Sequence, residues 1–127
     1  PFNLHYAYYY KYKKILDIDL LNQIASLLIG KHNFNCFCKS GSDVNNTFCE
    51  VYNCEWIFDK TTNQYFFRID ANRFLRGMIR LIVGACLNVE RGKLTIKEIE
   101  YSLLLGERLS LDWSVPANGL TLKNIVY

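Results

Sequence analysis

The sequence predicts an α+β fold, an antiparallel sheet with helices packed on one face. Three observations predict it. Stretches that alternate in character recur at the start, middle and end of the chain, and three segments carry helical spacing with capping residues at their ends. Two of the alternating stretches are also joined by a short polar loop suited to a hairpin. With 127 residues, half of them hydrophobic and 15% aromatic, the chain has the length of a single domain (1–127) and enough apolar mass for a packed core.

The elements follow in order. Residues 5–16, HYAYYYKYKKIL, interleave aromatic and basic side chains and are β-prone, which makes them the first strand. Asp19 precedes LLNQIASLLI and Gly30 follows it: an N-cap, a helix of about ten residues and a C′ glycine. Residues 31–47 read as a loop, with Ser40-Gly41-Ser42-Asp43 as the clearest turn signal. CEVYNCEWIF and QYFFRIDA are the next two strands, joined by Asp59-Lys60-Thr61-Thr62-Asn63. Period-two alternation puts Tyr52, Cys54, Trp56 and Phe58 on one face of the first, and Tyr65, Phe67 and Ile69 on one face of the second. A long helix over residues 72–91 closes on Gly92. A third helix starts at Thr95, where Thr95 and Glu98 have capping-box spacing, and ends at Gly106. LTLKNIVY, residues 120–127, gives the last strand.

Composition narrows the function classes. A formal charge of +3 permits a nucleic-acid partner, and a solvated surface explains it equally well. No charged region precedes an apolar run, and Asp17, Asp19, Arg76 and Arg80 interrupt the apolar stretches short of the roughly 18 residues a membrane span needs. Neither a secretion signal nor a membrane partner is expected, and the cytoplasm is the expected compartment. The chain opens on Pro1 without an initiator Met, so it reads as a piece of something longer. Five cysteines, an odd number, argue against a closed disulfide framework. Cys36/Cys38 (C-x-C) and Cys49/Cys54 (C-x4-C) lack the C-x2-C spacing of a zinc knuckle. In a regular strand Cys49 and Cys54 would also face opposite ways. They read as apolar filler, with no metal or cofactor expected.

One stretch asks for chemistry: FLRGMIRLIVG, residues 74–84. At about 100° per residue, Arg73, Arg76, Arg80 and Arg91 of the long helix fall within an arc of roughly 60°, with Gly77 and Gly84 beside it. Two readings stand on these residues alone. One is the solvated face of an amphipathic helix. The other is a face whose guanidinium forks take a phosphate or carboxylate, the glycines allowing close approach at a cost of about 1 kcal/mol each. Other catalytic sets are missing: His5 and His32 lie far apart in sequence, Asp17, Asp43 and Asp70 match no motif, and Asp112 beside Trp113 reads as structural.

PFNLHYAYYY, LLIGKHNFNCF, RIDANRFLRGMIRLIVGACLNVERGKLT and GERLSLDWSVPANGLTLKNIVY resemble, in the same order along the chain, motifs of TruA-type tRNA pseudouridine synthases. The resemblance covers nearly the whole chain. It implies the C-terminal half of an enzyme that isomerises uridine to pseudouridine in the tRNA anticodon stem-loop, without metal or organic cofactor, as a homodimer. The catalytic aspartate would lie in an N-terminal half upstream of this chain, so this half alone would be inactive. Arg80 matches the arginine that pairs with that aspartate, and Gly77 and Gly84 would let the partner half approach. Arg73 and Arg76 become candidates for tRNA phosphates, His32 and Phe34 match an H-D-F motif, and Gly119 and Leu120 match a segment walling the base pocket. Asn33 departs from the family's aspartate, and Asn45, Asn46 and Glu50 stand where relatives carry cations, which would weaken phosphate binding. Two other readings are a non-catalytic RNA-binding module, stacking bases on YYYKYKK, and an oligomerisation domain.

Overall fold

The computed structural model describes residues 4–10, 16–38, 46–61, 63–107 and 120–124. Its strands are β1 (Leu4–Tyr10), β2 (Gly30–Asn33), β3 (Phe48–Asp59), β4 (Gln64–Ala71) and β5 (Leu120–Asn124). Its α-helices are α1 (Ile18–Leu28), α2 (Met78–Glu90) and α3 (Ile96–Leu105), with a 3-10 turn over Phe34–Phe37. The strands form one sheet in the order β2-β3-β4-β1-β5, each neighbouring pair antiparallel. The α+β prediction holds: α1 packs on β3, α2 on α1 and the 3-10 turn, and α3 on β2 and the same turn. The 40–43 turn signal, residues 11–15 of the first predicted strand and residues 125–127 of the last lie outside the described residues.

Local chemistry explains the boundaries. The α1 cap is Asp17, two residues before the predicted Asp19, its side chain accepting from Leu20 N at 3.1 Å. Thr95 caps α3 as predicted, accepting from Glu98 N at 3.2 Å. The β3–β4 hairpin is also as predicted: Asp59 Oδ1 takes the Thr61 N–H at 2.9 Å, and Asn63 adopts φ +57°. The predicted loop over 31–47 instead begins with β2, which Gly30, at φ +110°, starts directly after α1. Its sequence, GKHN, shows no alternation; the strand exists because β3 offers a ladder to pair with.

A β-bulge governs the face of the sheet. Val51 pairs with Ala71, but the next partner of β4, Asp70, pairs with Asn53, so Tyr52 is the extra residue. Before the bulge the buried positions are Cys49 and Val51; after it they are Cys54 and Trp56. The expectation that Cys49 and Cys54 face opposite ways is therefore wrong: the bulge returns both to the core. For the same reason Tyr52, expected on the same face as Cys54, is exposed while Cys54 is buried. The core joins this face to Tyr65, Phe67 and Ile69 of β4, to Leu21, Ile24 and Leu28 of α1, and to most of α2. The other face of β3 displays Glu50, Asn53, Glu55 and Ile57.

Beyond its short ladder with β2, β3 gains a partner of another kind. Asn22 of α1 donates Nδ2 to the Trp56 carbonyl at 3.0 Å and accepts the Trp56 N–H on Oδ1 at 2.7 Å. One amide side chain thus meets both backbone groups of a buried residue, as a neighbouring strand would.

Candidate functional site

The helix expected over 72–91 begins only at Met78. Asn72 is held by the sheet: its N–H donates to the Glu50 carbonyl at 3.0 Å, and its Oδ1 accepts the Glu50 N–H at 2.9 Å. Gly77, the N-cap, sits at φ +71°, a left-handed conformation that glycine adopts without the penalty of a Cβ. Together they fold 72–77 into a turn, with Met78 N donating to the Leu75 carbonyl at 3.1 Å and Leu75 buried as its anchor. Arg73 and Arg76 therefore precede the helix, and the continuous arginine ridge does not form. Arg91 is the C-cap, about 16 Å from Arg80 along the axis at 1.5 Å per residue. Gly84 is buried in the core face of α2, so the space beside it is filled by this chain.

What remains is a smaller cationic cluster around the start of α2. Arg80 lies in the first turn and is exposed on a helix whose other faces are largely buried. Arg76 is exposed in the turn before it. Neither has a hydrogen-bond or ion-pair partner among the described residues. Arg73 is half-buried and donates Nη1 to the Asn46 carbonyl at 2.9 Å, which fixes its stem. The first turn of α2 carries no acidic residue and no side-chain cap, so the helix dipole adds to the positive potential of Arg80.

The other predicted residues divide. Phe34 is fully buried, packed edge-on to His32 at 5.8 Å and tilted against Phe37 at 6.2 Å, and serves the core. His32 is half-buried, and its Nε2 lies 2.9 Å from the Ile29 carbonyl, which fixes Nε2 as the donor. Asn33, in place of the family's aspartate, caps the 3-10 turn, accepting from Asn35 N at 3.1 Å and from the Thr47 hydroxyl. Leu120 opens β5 opposite Tyr10 of β1; Gly119 lies outside the described residues.

Sequence reasoning missed a cleft of about 410 Å³ lined by Ile29, Asn53, Cys54, Glu55, Arg68 and Asp70. The bulge creates it by setting Asn53 across from Asp70. Asn53 Nδ2 donates to Asp70 Oδ2 at 3.2 Å, and Asp70 is 7% exposed. Arg68 and Glu55 face each other at 3.9 Å. The five cysteines are free and buried, as filler should be. Burial pushes the Cys86 thiol up to about 12, and the nearby Trp56 indole N–H, which makes no well-formed hydrogen bond, pulls it back only slightly. Among the described residues no group of three or more His, Cys, Asp or Glu is placed to hold a metal ion.

Comparison with known proteins bears on this arrangement. A family model described as tRNA pseudouridine synthase matches residues 24–127. The chain belongs to that family. It is 35% identical over 127 residues to tRNA pseudouridine synthase A of Bacteroides fragilis, covering all of this chain and 49% of that protein. The enzyme of the same name from Bacillus subtilis is 31% identical over 126 residues, with 99% of this chain and 49% of the relative covered. That from Porphyromonas gingivalis is 36% identical over 116 residues, with 91% and 46% covered. The chain spans about half the length of the curated relatives it matches. The span matched to the pseudouridine synthase family model takes in Arg73, Arg76, Arg80, His32 and Phe34 and begins after β1.

Proposed function

We propose that this chain is the C-terminal half of a tRNA pseudouridine synthase, acting on uridines of the anticodon stem-loop in the cytoplasm, as part of a homodimer, without metal or organic cofactor. The observation that carries it is Arg80: an exposed guanidinium, unpartnered among the described residues, at the dipole-positive end of a helix otherwise committed to the core. Such a group suits a carboxylate supplied from outside this chain. The N-terminal half would bring the catalytic aspartate to it, and the pair would hold that carboxylate ionised by charge and hydrogen bonding. In the isomerisation the N1–C1′ glycosidic bond of uridine breaks, a C5–C1′ bond forms, the C5 proton leaves to solvent, and N1 takes up a proton in its place.

Arg76 and Arg73 flank this position and would take tRNA phosphates, positioning the RNA without reading its sequence. Phe34, being core, would support His32 and not touch RNA.

The test is tritium release from tRNA labelled at uridine C5. The chain alone should release none, and its mixture with the N-terminal half should release it. Arg80→Ala in that mixture should abolish release while the protein stays folded. Arg80→Lys should recover only part, since it restores the charge and not the planar fork. A folded mixture that binds tRNA and releases no tritium would sink the half-enzyme reading in favour of a binding module.

A further inference from the structure

Residues 72–77 carry the chain from the sheet to the helix of Arg80, and the first of them does something a turn residue need not. The β3–β4 ladder ends at the pair Val51–Ala71. The next pair along, Glu50 with Asn72, is completed differently. In a regular hydrogen-bonded antiparallel pair each residue offers its N–H and its main-chain carbonyl to the other. Asn72 gives its N–H to the Glu50 carbonyl at 3.0 Å, but the Glu50 N–H goes to Asn72 Oδ1, in the side chain, at 2.9 Å. The amide carbonyl stands in for the main-chain one. The backbone can therefore turn out of the sheet at Asn72 while both groups of Glu50 stay met.

We propose that Asn72 is a positioning residue for Arg80: its side chain sets the direction in which the chain leaves β4, and through the turn the aim of the guanidinium. The inference rests on the reading of Arg80 as the partner of a carboxylate from the other half. The link between the two is short and fastened along its length. Arg73 Nη1 donates to the Asn46 carbonyl at 2.9 Å, Asn46 Oδ1 accepts the Phe48 N–H at 3.0 Å, and Leu75 is buried. Gly77 then bends the chain at φ +71°, and Arg80 follows in the first turn of α2.

Magnitudes separate positioning from stability. Asn72 and Glu50 are both exposed, so water can serve the Glu50 N–H once the side chain is gone. Water cannot hold the bend. In Asn72→Ala the main-chain carbonyl is free to swing back and take the Glu50 N–H itself, which lengthens β4 by a residue and redirects the turn. The core holds the body of α2, so the displacement at Arg80 is small. A misplacement of about 1 Å nevertheless costs up to about a hundredfold in rate.

Steady-state tritium release by the full-length enzyme tests this. Asn72→Ala should lower kcat by about tenfold, more than it raises KM for tRNA, and should lower the melting temperature by no more than about 2–4 °C. Asn72→Asp keeps the acceptor and should recover most of kcat. Arg80→Lys supplies the readout that a merely structural residue would not move. A lysine ammonium has no planar fork to aim, so Asn72→Ala should cost less kcat in the Arg80→Lys enzyme than in the wild type. A change confined to KM, an Asn72→Asp enzyme no better than Asn72→Ala, or equal costs beside Arg80 and in Arg80→Lys overturns the proposal. Arg80→Ala separates this from the synthase reading. If it abolishes release while Asn72→Ala leaves kcat unchanged, the positioning role alone fails; if it releases tritium at the wild-type rate, the reading of Arg80 fails as well.

Discussion

Replacing Asn22 should be costly although the position is polar and only part-buried. Asn22→Leu keeps the approximate volume and removes both hydrogen bonds to the Trp56 backbone, at 2.7 and 3.0 Å. Trp56 is 3% exposed, so water cannot readily replace what is lost. A buried donor or acceptor left unmet costs about 1–3 kcal/mol, and two such groups at a part-buried site should cost about 2–4 kcal/mol. For a chain of this size that lowers the melting temperature by roughly 10 °C or more. Asn22→Asp retains an acceptor for the Trp56 N–H and loses the donor to its carbonyl, so it should cost about half as much. Urea unfolding followed by tryptophan fluorescence measures both. If Asn22→Leu lies within about 0.5 kcal/mol of wild type, the side chain is not acting as a surrogate strand and the reasoning fails.

Two further outcomes follow from the same structure. Gly106→Ala should destabilise by about 1–2 kcal/mol or more in thermal unfolding, because φ is +67° and the added methyl would run into the Asn33 side-chain amide. Cys86 gives a pH dependence: its thiol is raised from the ordinary value of 9.0 to about 12, so the fold favours the protonated form. Its contribution is intact below pH 9 and is lost as pH rises toward 12, on the order of 1 kcal/mol by pH 10. Cys86→Ala should flatten the fall in urea stability between pH 8 and pH 10, and an unchanged slope would refute the assignment.

Features written locally were legible in the sequence. Thr95 with Glu98, the 59–63 hairpin and the alternation of β4 are each decided by neighbours a few residues apart, and each was found. The misreadings have nonlocal causes. Residues 72–77 have helical spacing, yet Asn72 is claimed by Glu50 across the sheet and Gly77 takes a positive φ, so the arginine ridge dissolves into a turn. Nothing local in GKHN announces β2, which is made by its partner. Of the candidate site, Arg80 was legible as the arginine of a family motif. Its exposure was legible too, from its place on the cationic arc, but its want of a partner among the described residues was not, because that depends on which side chains the rest of the fold brings near the start of α2.

The bulge at Tyr52 makes β3 a strand of two phases. Upstream, odd-numbered residues are interior and the ladder runs to β2; downstream, even-numbered residues are interior and Asn22 of α1 stands on the flank. A deletion of Tyr52 itself would leave Val51 and Asn53 consecutive, opposite Ala71 and Asp70, which are already consecutive, so the ladder would close and every other side chain of β3 would keep its face. A deletion at any paired position of the strand would instead turn one half over, setting Phe48 and Glu50 inward or Cys54 and Trp56 outward. The strand can therefore lose one residue at this point, and at no other, without exchanging its interior for its surface.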